Sequence, residues 1–422
     1  MKTVDPITIE VLGNAVLSIC DEMGIVLAGT ARSPLLRESG DFSTTLHSGN
    51  GQLVAQSNTL PALASLARSA VLSLGEFVDL SDGVEEGDIF FTNHLSIGGS
   101  HLSDVKAMAP LFYKDQIVAW VANCAHWPDV GGAFSGGYVC ATDIFQEGLL
   151  IPPVRFFRRD RLNRETVDFV LNNVRAPDER LGDIRAQAAA IRRGKIRLTE
   201  LIEKYGLETI QAFFGAYLDY TETRVRHEIR KVPNGVYKFK DYMDNDGISD
   251  TPVGMKVEVT VQDDRMRFDF TGSDSQVQGP INATPSVVWA GVNFAVRGVT
   301  DPLIPINEGV YRPLEVVVPE GCWLNAKPPA PRQHCTHETG HRVIDCVLGA
   351  LSQAVPDRVP AAMHGTSSIM IMTGEDARVA PPEFFMFFEN VAGGFGGRPD
   401  KDGIDGIRTG VGNATNVPAE LA

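Results

Sequence analysis

The spacing of apolar residues predicts a helix at the start of the chain and strands after it. Near the N-terminus, the apolar positions recur at helical intervals, at Ile7, Val11, Leu12, Ala15, Val16 and Ile19. This pattern predicts a packed amphipathic helix. Up to about residue 155, short apolar runs between polar loops then predict buried strands, in the stretches DIFFTN, AMAPLFY and QIVAWVANCAH.

Between residues 160 and 231, apolar residues recur at helical spacing over long segments. These segments are charged, and their apolar positions predict long helices that pack as a helical hairpin. Asp178 and Glu179 follow Pro177, which gives one helix an acidic first turn suited to its dipole. Further along, MKVEVTV and RMRFDF alternate apolar and polar residues on either side of a QDD turn, which predicts a β-hairpin.

This mixture predicts an α+β protein with several domains, mixed β-sheets and a long helical hairpin insertion, without regular β-α-β alternation. We expect four regions along the chain. They are an α/β metal-site region at 1–155, a helical hairpin at 156–232, a β-rich region at 233–335 and a glycine-rich α+β region at 336–422.

Composition and charge exclude several classes of function. The chain has 422 residues and a formal net charge of -15, which argues against a surface that follows nucleic-acid phosphates. Glu10, Asn14 and Asp21 interrupt the apolar pattern of the N-terminal segment, so it is not typical of a signal peptide. No stretch approaches the roughly 20 apolar residues of a membrane-spanning helix. With six scattered cysteines and no C-x-x-C motif, we expect reduced thiols and a cytoplasmic location.

The stretch QHCTHETGHRV contains the zinc-peptidase pattern H-E-x-x-H, as His337-Glu338-Thr339-Gly340-His341. That motif needs both histidines on one helix face. Here the preceding AKPPAPRQ predicts a loop, and the helix is expected to begin near His341. A third ligand is also missing between residues 342 and 363. We therefore interpret the stretch as polar residues at a helix entry, where several histidines crowd together and could line a site.

Two H-x-x-D loops form the stronger candidate. His101 and Asp104 follow one predicted strand, and His126 and Asp129 follow the next. If these strands end at the same edge of a sheet, both loops meet. Two imidazoles and one or two carboxylates suit a divalent ion such as Zn²⁺, Mn²⁺ or Fe²⁺. The alternative is a pair of satisfied surface histidines with local aspartate contacts.

The glycine-rich stretches GGAFSGG and GGFGG do not form a phosphate-binding motif. Neither is followed by Lys-Ser or Lys-Thr, and neither has the G-x-G-x-x-G pattern between a strand and a helix. We read them as loops near a site, and we predict that this chain alone hydrolyses no ATP and binds it weakly.

Taken in order, many segments resemble the hydantoinase B/oxoprolinase family. They include RESGDFSTTL, GGSHLSDV, ANCAHWPDVGG, ATDIFQEGLLIPPV, YMDNDGISDTPV and AGGFGGRPDKDGIDG. That family comprises the β subunits of ATP-dependent hydantoinases, part of 5-oxoprolinase, and related large subunits of acetone-type carboxylases. The resemblance implies that His101, Asp104 and His126 are the metal ligands. It also implies that the H-E-T-G-H stretch is a variable loop that leads into a helix.

The sequence departs from the family pattern in three places. Asn93-His94-Leu95-Ser96 stands where Asn-Asp-Pro-Tyr is usual, and Leu63-Ala64-Ser65-Leu66 replaces a run like His-Leu-Gly-Ser-Met. Family chains also typically continue beyond the NVPAELA with which this sequence stops, so we expect a fragment or a shortened member. These departures bear on substrate specificity.

The resemblance implies the β-type subunit of an ATP-dependent amidohydrolase that opens a cyclic amide, such as a hydantoin, 5-oxoproline or another lactam. A hydantoinase A-type partner would bind ATP in a hetero-oligomer, and the divalent metal of this chain would activate water. We expect Asp129 to orient a ligand or act as a base, and Glu147 to be a supporting carboxylate. The alternatives are a subunit of an ATP-dependent ketone carboxylase and a non-catalytic scaffold subunit.

Overall fold

Helices and several separate sheets make up the fold. The computed structural model describes residues 4–57, 59–80, 83–138, 140–408, 410 and 414–416. The α-helices are α1 (Pro6–Thr30), α2 (Pro34–Arg37), α3 (Pro61–Ser73), α4 (Arg164–Leu171), α5 (Pro177–Tyr205), α6 (Leu207–Ile229), α7 (Pro285–Val299), α8 (Glu308–Tyr311) and α9 (Gly340–Leu351).

The strands fall into one large sheet, one medium sheet and three small ones. They are β1 (Phe42–Ser48), β2 (Leu53–Gln56), β3 (Ile89–Thr92), β4 (Asp104–Tyr113), β5 (Gln116–His126), β6 (Val154–Arg158), β7 (Arg161–Leu162), β8 (Gly235–Met243), β9 (Val253–Gln262), β10 (Arg265–Asp269), β11 (Leu314–Val317), β12 (Ile369–Asp376), β13 (Glu383–Asn390), β14 (Gly394–Phe395), β15 (Ile404–Asp405), β16 (Ile407–Arg408) and β17 (Ala414–Thr415). Helices beside separate mixed and antiparallel sheets confirm the α+β class.

The chain divides into two compact units that are discontinuous in sequence. Unit 1 comprises residues 1–127, 149–227 and 303–313, and unit 2 comprises residues 128–148, 228–302 and 314–422. The four consecutive regions expected from the sequence stay a prediction, because the compact units follow a different, interrupted division of the chain.

Unit 1 is built on a seven-stranded sheet in the order β2-β1-β5-β4-β3-β6-β7. Every neighbouring pair in this sheet is antiparallel. Strands β1 and β3 and most of β4 and β5 are buried along their length, on both faces. Their burial explains why the sequence shows continuous apolar runs there and little alternation. The end of β3, the start of β4 and the end of β5 lie at one edge of the sheet.

Helix α1 confirms the amphipathic N-terminal helix. The side chain of Asp5 caps it by accepting a 3.0 Å hydrogen bond from the backbone N–H of Thr8. The expectation that no stretch could span a membrane was wrong by length and composition, because α1 is long and apolar enough to cross one. In this structure α1 is partly buried and packs against α5 and β1.

Two long helices, α5 and α6, occupy the region predicted to be helical, and α5 has the predicted acidic first turn. Their packing as a hairpin is not specifically confirmed. Helix α5 lies along α1. Tyr217 of α6 also lies against α1, where a Cβ added to Gly13 would meet its ring at 3.0 Å. Both long helices therefore contact the N-terminal helix, which joins distant parts of the sequence into one core.

Unit 2 contains a four-stranded sheet in the order β11-β10-β9-β8. Strands β9 and β10 form the hairpin predicted around the QDD turn, with Asp263 in the left-handed backbone region at φ 55°. Helix α9 packs on β8 and β9 and against α7. Strands β12 and β13 form a separate antiparallel hairpin.

Candidate functional site

Three side chains from the two predicted loops converge in unit 1. Nε2 of His101 lies 2.7 Å from Oδ1 of Asp104 and 3.2 Å from Nδ1 of His126. Nδ1 of His126 is also 3.2 Å from Oδ1 of Asp104. The two imidazole rings meet edge to face, with centroids 4.8 Å apart. The triad is therefore a compact set of two nitrogen donors and one carboxylate.

The sheet fixes this geometry. Asp104 opens β4 and His126 closes β5, and the two residues are direct partners in the antiparallel ladder. Partners in such a ladder have Cβ atoms about 4.5–5.5 Å apart on the same face, which is close enough for both side chains to share an ion. His101 precedes β4 by three residues and reaches the same edge of the sheet from the loop after β3.

The loop that carries His101 is held tightly against α3. Gly98 has φ +59°, and a Cβ at that position would collide with the backbone carbonyl of Leu66. Nδ2 of Asn93 donates to the carbonyl of Leu102 at 2.8 Å, and the hydroxyl of Ser100 donates to Oδ2 of Asp104 at 2.6 Å. Gly98 therefore permits the close approach of this loop to the backbone of α3.

A buried glutamine of α5 ties the strands beside the triad to the helix. Nε2 of Gln187 donates to the carbonyl of Val105 at 3.0 Å and to Oδ1 of Asn123 at 2.9 Å. Its Oε1 accepts from the indole N–H of Trp127 at 2.8 Å. Because Val105 and Trp127 each follow a triad residue, this one side chain supports both ligand-bearing segments. The sequence analysis missed Gln187, whose only signal is a polar residue on the apolar face of a helix.

Burial disfavours the ionised form of Asp104, but the charges and hydrogen bonds of His101 and His126 outweigh burial and hold the pKa of Asp104 well below its usual range. The sequence analysis also missed Lys106, which is fully buried and donates to the backbone carbonyl of Asp104 at 2.8 Å. Its only sign in the sequence is that a lysine stands within the apolar run that forms β4. Burying an ammonium group costs free energy. The position of Lys106 beside the triad therefore indicates a functional or structural role.

The triad fits a divalent metal. Among the described residues, it is the only group of three His, Cys or carboxylate side chains whose ligand atoms all lie within 4.8 Å of one another. Each of the three residues is about 1% exposed. Two imidazole nitrogens and one carboxylate form a donor set typical of Zn²⁺, Mn²⁺ or Fe²⁺.

Asp129 belongs to unit 2, where its carboxylate holds a glycine-rich loop. Oδ2 accepts from the backbone N–H of Gly131 at 3.1 Å, and Oδ1 accepts from that of Gly136 at 3.3 Å. Gly132 in this loop has φ +91°, and a Cβ there would lie 2.6 Å from the carbonyl oxygen of Gln146. The loop therefore depends on glycine to pack against the segment that carries Glu147.

Glu147 also lies in unit 2 and is fully buried. Its Oε1 accepts from the backbone N–H groups of Arg332 and Gln333, at 2.7 and 2.8 Å. Burial raises the pKa of Glu147 to about 8, against the lowering effect of these two hydrogen bonds. At neutral pH this carboxyl is mostly protonated. Its hydrogen bonds to Arg332 and Gln333 hold the segment before α9 in place.

The H-E-T-G-H stretch differs from the expectation in one respect. Helix α9 begins at Gly340, next to His341 as expected, but Cys335–Thr339 form a π-helical turn that continues directly into it. His337 accordingly lies inside a helical segment, and its Nε2 contacts the hydroxyl of Tyr138. Such π turns interrupt helices at sites where side chains need a special placement. In the described structure, neither His337 nor His341 belongs to a metal-type cluster.

The fold and the buried cluster define an α+β protein with a candidate two-histidine, one-carboxylate metal centre. The sequence profile of the Hydantoinase B/oxoprolinase family matches residues 5–422, and the chain belongs to this family. The resemblance seen in the sequence motifs is thereby confirmed.

Individual relatives cover nearly the whole chain. An uncharacterised protein of Methanocaldococcus jannaschii is 35% identical over 93% of this chain and 68% of its own length. Caprolactamase subunit beta of Pseudomonas jessenii is 31% identical over 96% of this chain and 69% of its own length.

Two solved structures share the fold. The ATP-dependent caprolactamase of Pseudomonas jessenii matches with a TM-score of 0.90 and 29% identity, covering 100% of this chain and 73% of that one. Acetone carboxylase in its nucleotide-free form matches with a TM-score of 0.88 over 99% of this chain and 57% of that one. At 19% identity, the second likeness concerns the fold alone.

Proposed function

We propose that this chain is the β-type subunit of an ATP-dependent amidohydrolase that opens a cyclic amide, with its metal centre at His101, Asp104 and His126. The observation that carries the proposal is the convergence of these three side chains at one sheet edge. It is supported by a relative of the same fold, at 29% identity, that is described as an ATP-dependent caprolactamase. A caprolactam is a cyclic amide, so a lactam is the substrate class that the relatives favour.

Three residues of the site would bind a metal ion, and a neighbouring residue would orient one of these ligands. His101, Asp104 and His126 would hold a divalent ion, which supplies Lewis acidity toward the amide and lowers the pKa of water. Asp104 is kept ionised by its low pKa, and the hydroxyl of Ser100 fixes its second oxygen at 2.6 Å. Such a hydrogen bond orients a ligand side chain and sets which oxygen is available.

Asp129 and Glu147 serve the reaction, in this proposal, through the loops they hold. Asp129 fixes the glycine-rich loop that follows His126 in sequence, and Glu147 fixes the segment before α9. Asp129 thus acts as an orienting residue and Glu147 as a supporting carboxyl, since a mostly protonated Glu147 at pH 7 is not available as a base.

A second subunit of the hydantoinase A type would bind ATP and activate the amide carbonyl, and the two chains would form a hetero-oligomer in the cytoplasm. The name caprolactamase subunit beta indicates that this relative works with another subunit. The sequence offers no glycine loop with its lysine to hold phosphates, which fits a division of labour between chains.

The test is co-expression with a subunit of the hydantoinase A type, followed by metal analysis and ATP-hydrolysis assays. We expect the pair, and neither chain alone, to hydrolyse ATP in step with opening of a lactam or hydantoin. Stoichiometric ATP binding by this chain alone, measured calorimetrically, would contradict the two-subunit arrangement.

The same assays address ketone carboxylation and the scaffold role. Adding acetone or acetophenone with bicarbonate tests the first, but no specific observation favours it, because acetone carboxylase shares only the fold. A complex that turns over with wild-type rates after loss of His101 and His126 would favour a scaffold.

A further inference from the structure

Unit 2 contains a cavity of about 720 Å³, lined in part by the glycine-rich loop that Asp129 holds, to which the proposed function assigns no ligand. It lies between the loop around residue 135, the start of the H-E-T-G-H stretch and strand β12. Six of the side chains that line it carry the argument: Phe134, Tyr138, His334, Glu338, Ile369 and Ile371. The volume is typical of cavities that hold small organic ligands.

The polar side chains of this cavity are fixed by contacts within unit 2. The hydroxyl of Tyr138 contacts Nε2 of His337, and its ring meets His334 edge to face, with centroids 5.6 Å apart. Oε1 of Glu338 accepts a 2.6 Å hydrogen bond from the hydroxyl of Thr366. These contacts hold one aromatic ring and one carboxylate in defined places on the cavity wall.

Among the described residues that line the cavity, Glu338 is the one carboxylate. The other lining residues are aromatic, aliphatic, hydroxyl-bearing or histidine, so Glu338 sets the sign of the site. An aromatic face such as that of Tyr138 also attracts cations, so both features favour a positively charged ligand.

The apolar part of the wall adds a second requirement. Ile369 and Ile371 alternate along β12, so they point to the same face of the hairpin and into the cavity. Phe134 provides a further apolar surface and is 59% exposed. A ligand that matches this arrangement carries a cationic group at one end and an aliphatic chain at the other.

We propose that this cavity binds the primary ammonium of a small aliphatic amine, with the amine at Glu338 and Tyr138 and the methylene chain on Ile369 and Ile371. Hydrolysis of a lactam adds water across the amide C–N bond and leaves a carboxylate and a primary ammonium on one aliphatic chain. The ring-opened product therefore carries the ammonium and the methylene chain that the cavity fits. The choice of the ring-opened product as the natural ligand rests on the proposed function. The preference for an amine rests only on the side chains of the cavity wall.

The test measures binding of hexylamine, 6-aminohexanoic acid and hexan-1-ol to the full chain by calorimetry, without ATP or partner. We expect both amines to bind at least about tenfold more tightly than the alcohol, since a charged hydrogen bond is about twice as strong as a neutral one. Glu338→Gln should weaken amine binding about tenfold and leave the alcohol unchanged. The matched control is Glu383→Gln, an exposed glutamate of β13 outside the cavity lining, which should bind the amines as the wild type does.

Equal affinity of the wild type for hexylamine and hexan-1-ol would overturn the proposal, and this comparison needs no variant to fold. Unchanged amine binding in a folded Glu338→Gln variant would overturn it as well. Failure of lactam turnover with the partner bears on the proposed function and leaves the amine result intact. If hexylamine binds through Glu338 but 6-aminohexanoic acid does not, the ring-opened product is excluded as the natural ligand.

Discussion

Asp104 and His126 face each other across the β4–β5 ladder, with Nδ1 of His126 3.2 Å from Oδ1 of Asp104. Their separation is set by the register of two long strands whose partners run from this pair to Tyr113 and Gln116. A slip of one residue would turn the two side chains to opposite faces of the sheet. The candidate metal centre is thus as rigid as the central strands of unit 1.

The first prediction concerns the proposed ligands. His101→Ala, Asp104→Ala and His126→Ala should each remove most of the bound divalent metal and abolish turnover with the partner, while the chain still folds. A centre with about three protein ligands loses both affinity and geometry when one is removed. Elemental analysis of the purified variants, beside thermal melts, measures this. Full metal occupancy and wild-type rates in the His101 and His126 variants would remove the basis of the mechanism.

Two further substitutions complete the metal experiment. His337→Ala is the matched control and should keep its metal, because His337 contacts Tyr138 in unit 2. Asp129→Ala should have a milder effect, with metal affinity or activity falling about 10–100-fold, as is usual for residues that orient a centre without binding it. Loss of metal only in Asp129→Ala would mean that the ligand set is misassigned.

A second prediction tests the buried lysine. Lys106→Met keeps most of the aliphatic stem but removes a positive charge from beside Asp104, so Zn²⁺ should bind more tightly, by a factor on the order of ten. Competition with a chelator measures the affinity. The control is Lys238→Met, an exposed lysine of β8 paired with Glu258, which should leave Zn²⁺ affinity unchanged. A weaker affinity in Lys106→Met would indicate that the ammonium mainly holds the Asp104 backbone in place.

The third prediction addresses the support from α5. Gln187→Met removes three hydrogen bonds that tie Val105, Asn123 and Trp127 together. The free energy of unfolding should fall by about 1–3 kcal/mol, because the groups left behind are buried. Metal affinity should fall with it. Denaturant unfolding of this variant is compared with that of Gln211→Met, an exposed glutamine of α6. Equal stability of the two variants would show that the network adds nothing.

The fourth prediction is a pH dependence at Glu147. The pKa of its carboxyl is about 8 in the folded chain and is near the ordinary 4.5 when unfolded. The folded state thus holds the proton more tightly, so this group stabilises the fold below about pH 4.5, and the contribution is lost as pH rises toward 8. The loss is on the order of a few kcal/mol.

Glu147→Gln isolates that effect, because the amide oxygen can still accept from Arg332 and Gln333 but cannot ionise. Thermal melts of both proteins between pH 5 and pH 8 should show the wild type losing stability relative to the variant as pH rises. A constant difference across this range would mean that Glu147 does not titrate there.

Local sequence patterns determined where the helices and most strands lie. The spacing of Val16, Ile19 and their neighbours predicted α1, and the acidic turn after Pro177 predicted the start of α5. The alternation around Asp263 predicted the β9–β10 hairpin. These elements depend on neighbours a few residues away, whose preferences are written in the sequence itself. The ordered motifs likewise indicated the family, which the whole-chain match confirms.

The sequence also named the residues of the candidate metal centre, but only the tertiary structure decided how they meet. The two H-x-x-D loops pointed to His101, Asp104 and His126. The pairing of Asp104 with His126 depends on strand register, and register follows from how the whole sheet is buried. The motif did not predict the contacts of Asp129, whose carboxylate accepts hydrogen bonds from backbone amides of its own loop.

Contacts between distant segments could not be found from local patterns. The packing of α5 on α1, the support of Gln187 and the burial of Lys106 all join residues far apart in sequence. So does the cavity that joins Glu338 to β12. Helix and strand preferences act over a few residues, whereas the choice of packing partner depends on how apolar surface across the entire chain is removed from water. The sequence therefore determined the elements and the candidate ligands, and tertiary packing decided which of them touch.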